Sequence, residues 1–169
     1  TGSNVIDAIN KDGILEHRFM FSNNWPYQYI PTSDFGMMYT NTTSGTATWT
    51  KLDNQGNVVW VKNSPDTKTI RMGSADGATY YTDTNNKLIK LDASGNPVWA
   101  TSLSGYAKLI ELQDGNIGVA SIMYMFASEA LHLMKINTQT GETIWETTSA
   151  AGLGFISGII GFTEMADGG

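Results

Sequence analysis

Four glycines set the rhythm of this chain. Gly13, Gly56, Gly95 and Gly141 lie 43, 39 and 46 residues apart, and the residue four places after each is large and cyclic: His17, Trp60, Trp99 and Trp145. The best-kept copies read Lys51-Leu52-Asp53-Asn54-Gln55-Gly56-Asn57-Val58-Val59-Trp60 and Lys90-Leu91-Asp92-Ala93-Ser94-Gly95-Asn96-Pro97-Val98-Trp99. A third, from Lys135 to Trp145, is one residue longer before its glycine, and the first, from Ala8 to His17, is worn. A second element built on Asp and Gly alternates with these copies. It occurs at Asp34-Phe35-Gly36, Asp76-Gly77, Asp114-Gly115 and Asp167-Gly168, with its aspartates 42, 38 and 53 residues apart. Two motifs in step over four periods demand a repeat architecture, in which each unit buries its apolar face against its neighbours.

Each unit divides into four short segments rich in β-branched and aromatic residues and bounded by Gly, Asn and Asp, the pattern of strands. First strands are expected at 28–31, 69–72, 107–112 and 157–163, ahead of the Asp-Gly element. Second strands follow it at 37–41, 78–82 and 117–123; third strands end in Lys-Leu-Asp at 46–52, 88–91 and 130–136. Fourth strands carry the Trp, at 58–61, 97–101 and 143–147. No segment has an apolar stripe at helical spacing over three turns, so the chain is read as all-β. The Asp-x-x-Gly-Asn links suit a type I turn followed by a left-handed residue, a position that glycine fills without steric cost.

About 40 residues for four antiparallel strands is the period of a β-propeller blade. The expected division is a partial blade at 1–22, blades at 23–64, 65–104 and 105–150, and a partial blade at 151–169. The chain thus starts and stops inside its own repeat. That favours part of a larger propeller over a closed ring of four blades, which would leave an unpaired strand edge.

The unit Asn137-Thr138-Gln139-Thr140-Gly141 with Trp145 resembles the tryptophan-docking repeat of the PQQ-like, or quinoprotein dehydrogenase-like, propellers, with Asn137 where Asp is usual. The Gly56 and Gly95 copies are similar to the looser secreted and surface form of that repeat. The resemblance implies that Trp60, Trp99 and Trp145 pack between neighbouring blades. It implies no cofactor, because the quinone-binding enzymes use an adjacent cysteine pair and the chain of 169 residues has no cysteine.

The lack of cysteine also removes disulfides, thiol catalysis and cysteine-based zinc sites. Two histidines far apart in the repeat offer little for a transition metal, and no Gly-x-Ser-x-Gly element supports a serine nucleophile. His17 and His132 are therefore read as packing or surface residues, and no catalytic residue is expected. Asp76 and Asp83 are the nearest candidates for calcium. The Asp-x-Asp-x-Asp-Gly loop is absent, and each aspartate also suits a turn cap. A net charge of -6 with no Lys/Arg cluster argues against nucleic acid. No apolar run is long enough to span a bilayer as a helix.

Function is expected where the copies differ. Trp25, Tyr27 and Tyr29 form an aromatic group at the first strand of the 23–64 blade, read either as interblade packing or as a surface that stacks on a carbohydrate ring or a protein partner. Met123, Tyr124, Met125 and Phe126 lie in the longest insertion: Asp114 to Lys135 spans 21 residues, against 17 from Asp34 to Lys51 and 14 from Asp76 to Lys90. The insertion is read either as longer strands or as an adaptable contact loop. The expected function is a non-catalytic module, extracellular, at the cell surface or periplasmic, for protein, adhesion or assembly contacts. Its alternatives are a lobe of a larger hydrolase or dehydrogenase and a subunit that self-associates through an open edge strand.

Overall fold

The computed structural model describes residues 4–9, 12–21, 28–43, 46–63, 70–125, 128–149, 159 and 162–165. Fourteen strands are described: β1 (Asn4–Ile9), β2 (Leu15–Phe21), β3 (Gln28–Pro31), β4 (Met37–Thr43), β5 (Thr46–Leu52), β6 (Val58–Asn63), β7 (Ile70–Gly73), β8 (Thr79–Thr82), β9 (Lys87–Leu91), β10 (Pro97–Ser102), β11 (Ala107–Glu111), β12 (Ile117–Met125), β13 (Ser128–Ile136) and β14 (Thr143–Thr148). They form one two-stranded sheet, β1-β2, and three four-stranded sheets that run in chain order: β3 to β6, β7 to β10 and β11 to β14. The fold is all-β, built of four-stranded antiparallel sheets as in propeller blades. Among the described residues no helix is long and apolar enough to cross a membrane.

Compact packing divides the chain into two units. The first comprises Thr1–Thr79 with Asp92–Asn96, and the second Tyr80–Leu91 with Pro97–Gly169. In the first, Phe19, Phe21, Met37 and Leu52 form a buried cluster, with Ile6, Ala8 and Tyr39 packed against it. Phe21 meets Tyr39 edge-on, with ring centres 5.2 Å apart. In the second, Ile117, Val119 and Ile136 are fully buried; β13 alternates buried and half-buried positions from Ala130 to Ile136, as the two-residue period requires, while β12 is buried on both faces from Ile117 to Ile122. The last strand of that sheet, β14, is exposed along its whole length.

The Asp-x-x-Gly-Asn links build alike. Asp53 N donates to Asn57 O at 2.9 Å and Gly56 N donates to Asp53 O at 3.1 Å, while Asp53 Oδ1 accepts from Gln55 N and Asn57 N. Asp92 repeats the pattern with Ser94 and Asn96. Each link ends in a register shift, between Lys51 and Leu52 and between Pro97 and Trp99, the bulge that accompanies a left-handed residue in a three-residue hairpin loop.

The lysine of Lys-Leu-Asp has a partner that the repeat alone does not reveal. Lys51, its side chain only 6% exposed, reaches Asp34 of the Asp-Gly element at 2.7 Å, and Lys135 reaches Asp114 at 2.7 Å. In these two sheets the first and third turns, which lie at the same end of the β-meander, are thus clamped by charge. Partial burial pushes the Asp34 carboxyl up, but the hydrogen bonds from Lys51 and Thr32 outweigh it and leave the group below its ordinary range. Lys135, then Asn116, lower Asp114 to about 2.

One alternative is decided and one expectation changes. The long insertion takes the first of its two readings, longer strands: β12 and β13 pair without interruption from Ile117↔Ile136 to Met125↔Ser128. The strand expected at 157–163 is not one at its described positions, since Ile159, Phe162 and Thr163 lie outside any strand. Glycines at 152, 154, 158 and 161 favour neither the backbone nor the packing of a strand. The remainder of that span lies outside the described residues.

Candidate functional site

Two of the three repeat tryptophans, Trp60 and Trp99, occupy glycine seats. In the first unit, Trp60 Nε1 donates to Ala93 O at 3.0 Å, and a Cβ on Gly95 would stand 2.9 Å from Trp60 Cζ2. Lys62 extends the contact, donating to Asn96 Oδ1 at 2.7 Å with its ammonium 5.8 Å from the centre of the Trp60 ring. In the second unit, Trp99 Nε1 donates to Thr138 O at 3.0 Å, and a Cβ on Gly141 would stand 2.7 Å from Trp99 Cδ2. Thr101 Oγ1 donates to Gly141 O, and Lys90 Nζ also donates to Thr138 O. Each glycine therefore has two reasons to be glycine: a left-handed φ, +74° at Gly95 and +76° at Gly141, and an indole ring where a side chain would begin. Trp145 differs. It is 48% exposed and borders a cavity of about 150 Å³ together with Leu112, Gly118 and Phe162.

The glycine that precedes these seats is open. A Cβ on Gly56 would meet nothing within 4 Å among the described residues, and the Trp position of the preceding copy is His17. Near that worn copy lies an apolar cleft of about 520 Å³ between the β1-β2 hairpin and the β3-β4 hairpin. Ile6, Ile9, Phe19, Tyr29, Phe35 and Met37 supply apolar lining, and Asp7, Glu16 and His17 supply its ionisable groups. Asp7 is held by Arg18 in a two-pronged pair at 2.8 and 2.9 Å, which lowers its pKa through that hydrogen bond.

Phe35 stands at the cleft in a conformation its side chain resists. Its φ is +59°, and its amide donates to Thr32 O at 3.0 Å. Gly77 and Gly115 make the same bond in the later copies, to Ser74 O and Leu112 O, with φ of +81° and +77°. Phenylalanine thus occupies the left-handed place that glycine holds elsewhere, with its ring 65% exposed. Of the aromatic group expected to make contacts, Tyr29 lines the cleft and is 48% exposed, whereas Trp25 and Tyr27 lie outside the described residues.

The other candidates are dispersed. Met123 is half-buried in β12; the side chains of Tyr124 and Met125, and all of Phe126, lie outside the described residues. Asp76 Oδ1 accepts from Ser74 Oγ and Ala78 N, while Asp83 Oδ1 accepts from Asn85 N and Lys87 N, so each caps its own turn. Among the described residues no three acidic or histidine side chains gather as a metal site. His132, read from the sequence as a packing or surface residue, is buried with polar contacts on both ring nitrogens. Ser104 Oγ lies 2.8 Å from Nδ1 and Glu146 Oε2 lies 3.3 Å from Nε2. Alternation with Leu131 and Leu133 accounts for its burial, but its partners come from the loop before β11 and from β14. Neither of the two cavities above borders Ser104, His132 or Glu146.

Residues 44–160 match the family described as outer membrane protein assembly factor BamB. Among solved structures, a catalytically inactive virginiamycin B lyase from Staphylococcus aureus, solved with quinupristin, is 19% identical. That match covers 85% of this chain and 48% of the lyase, with a TM-score of 0.54. A protein of unknown function from Bacteroides caccae is 12% identical over 85% of this chain and 53% of its own, with a TM-score of 0.52. BamB from Moraxella catarrhalis is 18% identical over 73% of this chain and 35% of its own, with a TM-score of 0.44. The chain spans about half the length of the first two, and likeness at these identities speaks for the fold alone. No curated protein sequence matches the chain.

Proposed function

The chain belongs to the family of outer membrane protein assembly factor BamB, and from that premise we propose that it is a non-catalytic propeller module making protein contacts outside the cytoplasm. The observation that carries the reading is the outermost strand of the first complete sheet. Val58, Val59 and Val61 of β6 are all exposed, on a strand that stands at the edge of its sheet among the described strands. Such a strand offers a partner apolar side chains together with a row of backbone donors and acceptors, the requirements for adding a strand. Ile144 and Trp145 give β14 the same character. The seat of Trp60 on Gly95 would hold β6 in a fixed place, and the seat of Trp99 on Gly141 would fix the turn that leads into β14, so that contact is made by rigid display rather than by folding on binding.

The test is site-specific photo-cross-linking in the producing cell, with the reactive side chain at Val59 or Ile144 and a control at the exposed turn residue Gln55. Discrete heterologous adducts from the strand positions and none from Gln55 are expected. Adducts only of doubled mass would replace the reading with self-association, and equal, diffuse labelling from all three positions would refute it.

A second reading, a lobe of a larger enzyme, has one specific observation in its favour: the Ser104–His132–Glu146 line has the order of a nucleophile, a base and an orienting acid. A fluorophosphonate probe decides it. Labelling of the chain that disappears in Ser104→Ala would make the module catalytic.

A further inference from the structure

Two departures from the repeat lie at one cleft. His17 stands where the later copies carry a seated tryptophan, and Phe35 stands where they carry a left-handed glycine. Both border the cleft of about 520 Å³ between the β1-β2 and β3-β4 hairpins, a volume within the range of small-molecule sites. The first departure removes an indole and the second adds an exposed aromatic ring in a strained backbone. A bulky residue kept at positive φ where its equivalents are glycine is a local cost, and such costs collect at ligand-binding positions.

The charge at the cleft narrows what it would hold. Arg18, beside it on β2, is engaged by both oxygens of Asp7, so that pair is neutral as a unit. Glu16 then leaves the lining with a net negative charge, beside the exposed rings of Tyr29 and Phe35. Aromatic faces next to a carboxylate, over an apolar floor of Ile6, Phe19 and Met37, suit a positive group attached to an apolar body. An anion would find no unengaged cation among the described lining residues.

We propose that this cleft binds a small organic cation carrying an apolar ring, an aromatic amine in the simplest case, with Phe35 and Tyr29 covering the ring or its ammonium and Glu16 fixing the charge. The site is independent of the strand contacts above, because β6 and β14 contribute nothing to its lining.

Three probes that share a phenyl ring and differ in charge test it on the whole chain: phenethylamine, 2-phenylethanol and phenylacetate, followed by calorimetry and by NMR shifts of the Tyr29 ring. Phenethylamine is expected to saturate a single site and to bind about fivefold more tightly than the alcohol, with phenylacetate weakest. Glu16→Gln should abolish the preference for the amine over the alcohol. Phe35→Gly restores the residue of the other copies, so it should raise thermal stability while weakening phenethylamine about tenfold. That combination separates a binding residue from one merely tolerated. No saturable binding by phenethylamine, tighter binding of phenylacetate, an amine preference that survives Glu16→Gln, or unchanged affinity in Phe35→Gly would each overturn the proposal.

Discussion

Gly56 and Gly95 stand in the same five-residue turn with nearly the same backbone, φ of +84° and +74°, yet only Gly95 lies under an indole. Alanine at either position must adopt the left-handed conformation, which costs about 1–2 kcal/mol. At Gly56 the cost should end there, because no atom of the described residues stands within 4 Å of the new methyl. At Gly95 the methyl would fall 2.9 to 3.1 Å from three atoms of the Trp60 ring, inside ordinary van der Waals contact. The ring must lift, at an overpacking cost of about 1–3 kcal/mol. Lifting it also strains the Trp60 Nε1 bond to Ala93 O, worth about 1 kcal/mol. Gly95→Ala should therefore cost about 2–5 kcal/mol, against about 1–2 for Gly56→Ala. Urea denaturation followed by far-ultraviolet circular dichroism measures both. The decisive arm is the pair of substitutions in a Trp60→Ala background, where Gly95→Ala should fall to the cost of Gly56→Ala, a coupling of about 1–3 kcal/mol. Equal costs for the two glycines in the parent chain, or an excess that survives the loss of Trp60, would refute the seat as an energetic contact.

Other perturbations address the charged and strained positions. The Asp114 carboxyl sits at about 2 in the folded chain against an ordinary 3.8, so its contribution to stability is present above pH 3.8 and is lost as pH falls toward 2. Asp114→Asn should flatten that part of the acid-unfolding curve while costing less than about 1 kcal/mol at pH 7, because solvent reaches nearly half of the carboxylate side chain and screens the pair; an unchanged curve would contradict the pairing. His132→Phe should destabilise by about 1–3 kcal/mol in chemical denaturation, since it strips Ser104 and Glu146 of a buried partner, and a neutral result would make those contacts incidental. Phe35→Gly should gain up to about 1 kcal/mol from relief of the left-handed strain, less the added freedom of the unfolded chain. A loss in its place, read as a lowered melting temperature, would mean that the exposed ring packs better than its exposure indicates.

What the residues disclosed in advance was whatever repeats over short range. Lys51 to Trp60 and Lys90 to Trp99 announce a strand, a glycine turn and a second strand, because turn chemistry and the two-residue period are local. The seats were half legible. A left-handed glycine follows from the turn, whereas the ring on Gly95 belongs to a residue 35 positions earlier. The Lys51–Asp34 and Lys135–Asp114 clamps were visible only as intervals of 17 and 21 residues. Their partnership requires the register of β3 to β5 and of β11 to β13. Phe35 was hidden by alignment, since Asp34-Phe35-Gly36 passes for an Asp-Gly element with one residue inserted. Only its φ places the phenylalanine, not Gly36, in the glycine position. His132 betrayed its burial through Leu131 and Leu133 but not its partners, which come from a loop 28 residues earlier and from the next strand.

The grouping of Asp92–Asn96 with the first unit, apart from the strands that flank it in sequence, bears on how such a chain can be duplicated and recombined. The period of the sequence spans the length of one four-stranded sheet. The module that holds together as matter runs from a tryptophan in one sheet to the turn of the next copy. Sequence period and cohesion are thus cut at different places along the same chain. A duplication or deletion that respects the sheet boundary still severs a ring from its glycine unless the incoming copy brings an equivalent turn. Near-identity of the Gly56 and Gly95 turns means that either could present a glycine to an incoming indole. The copy ending in His17 carries no indole to seat, and His17 itself lines the cleft that Phe35 borders.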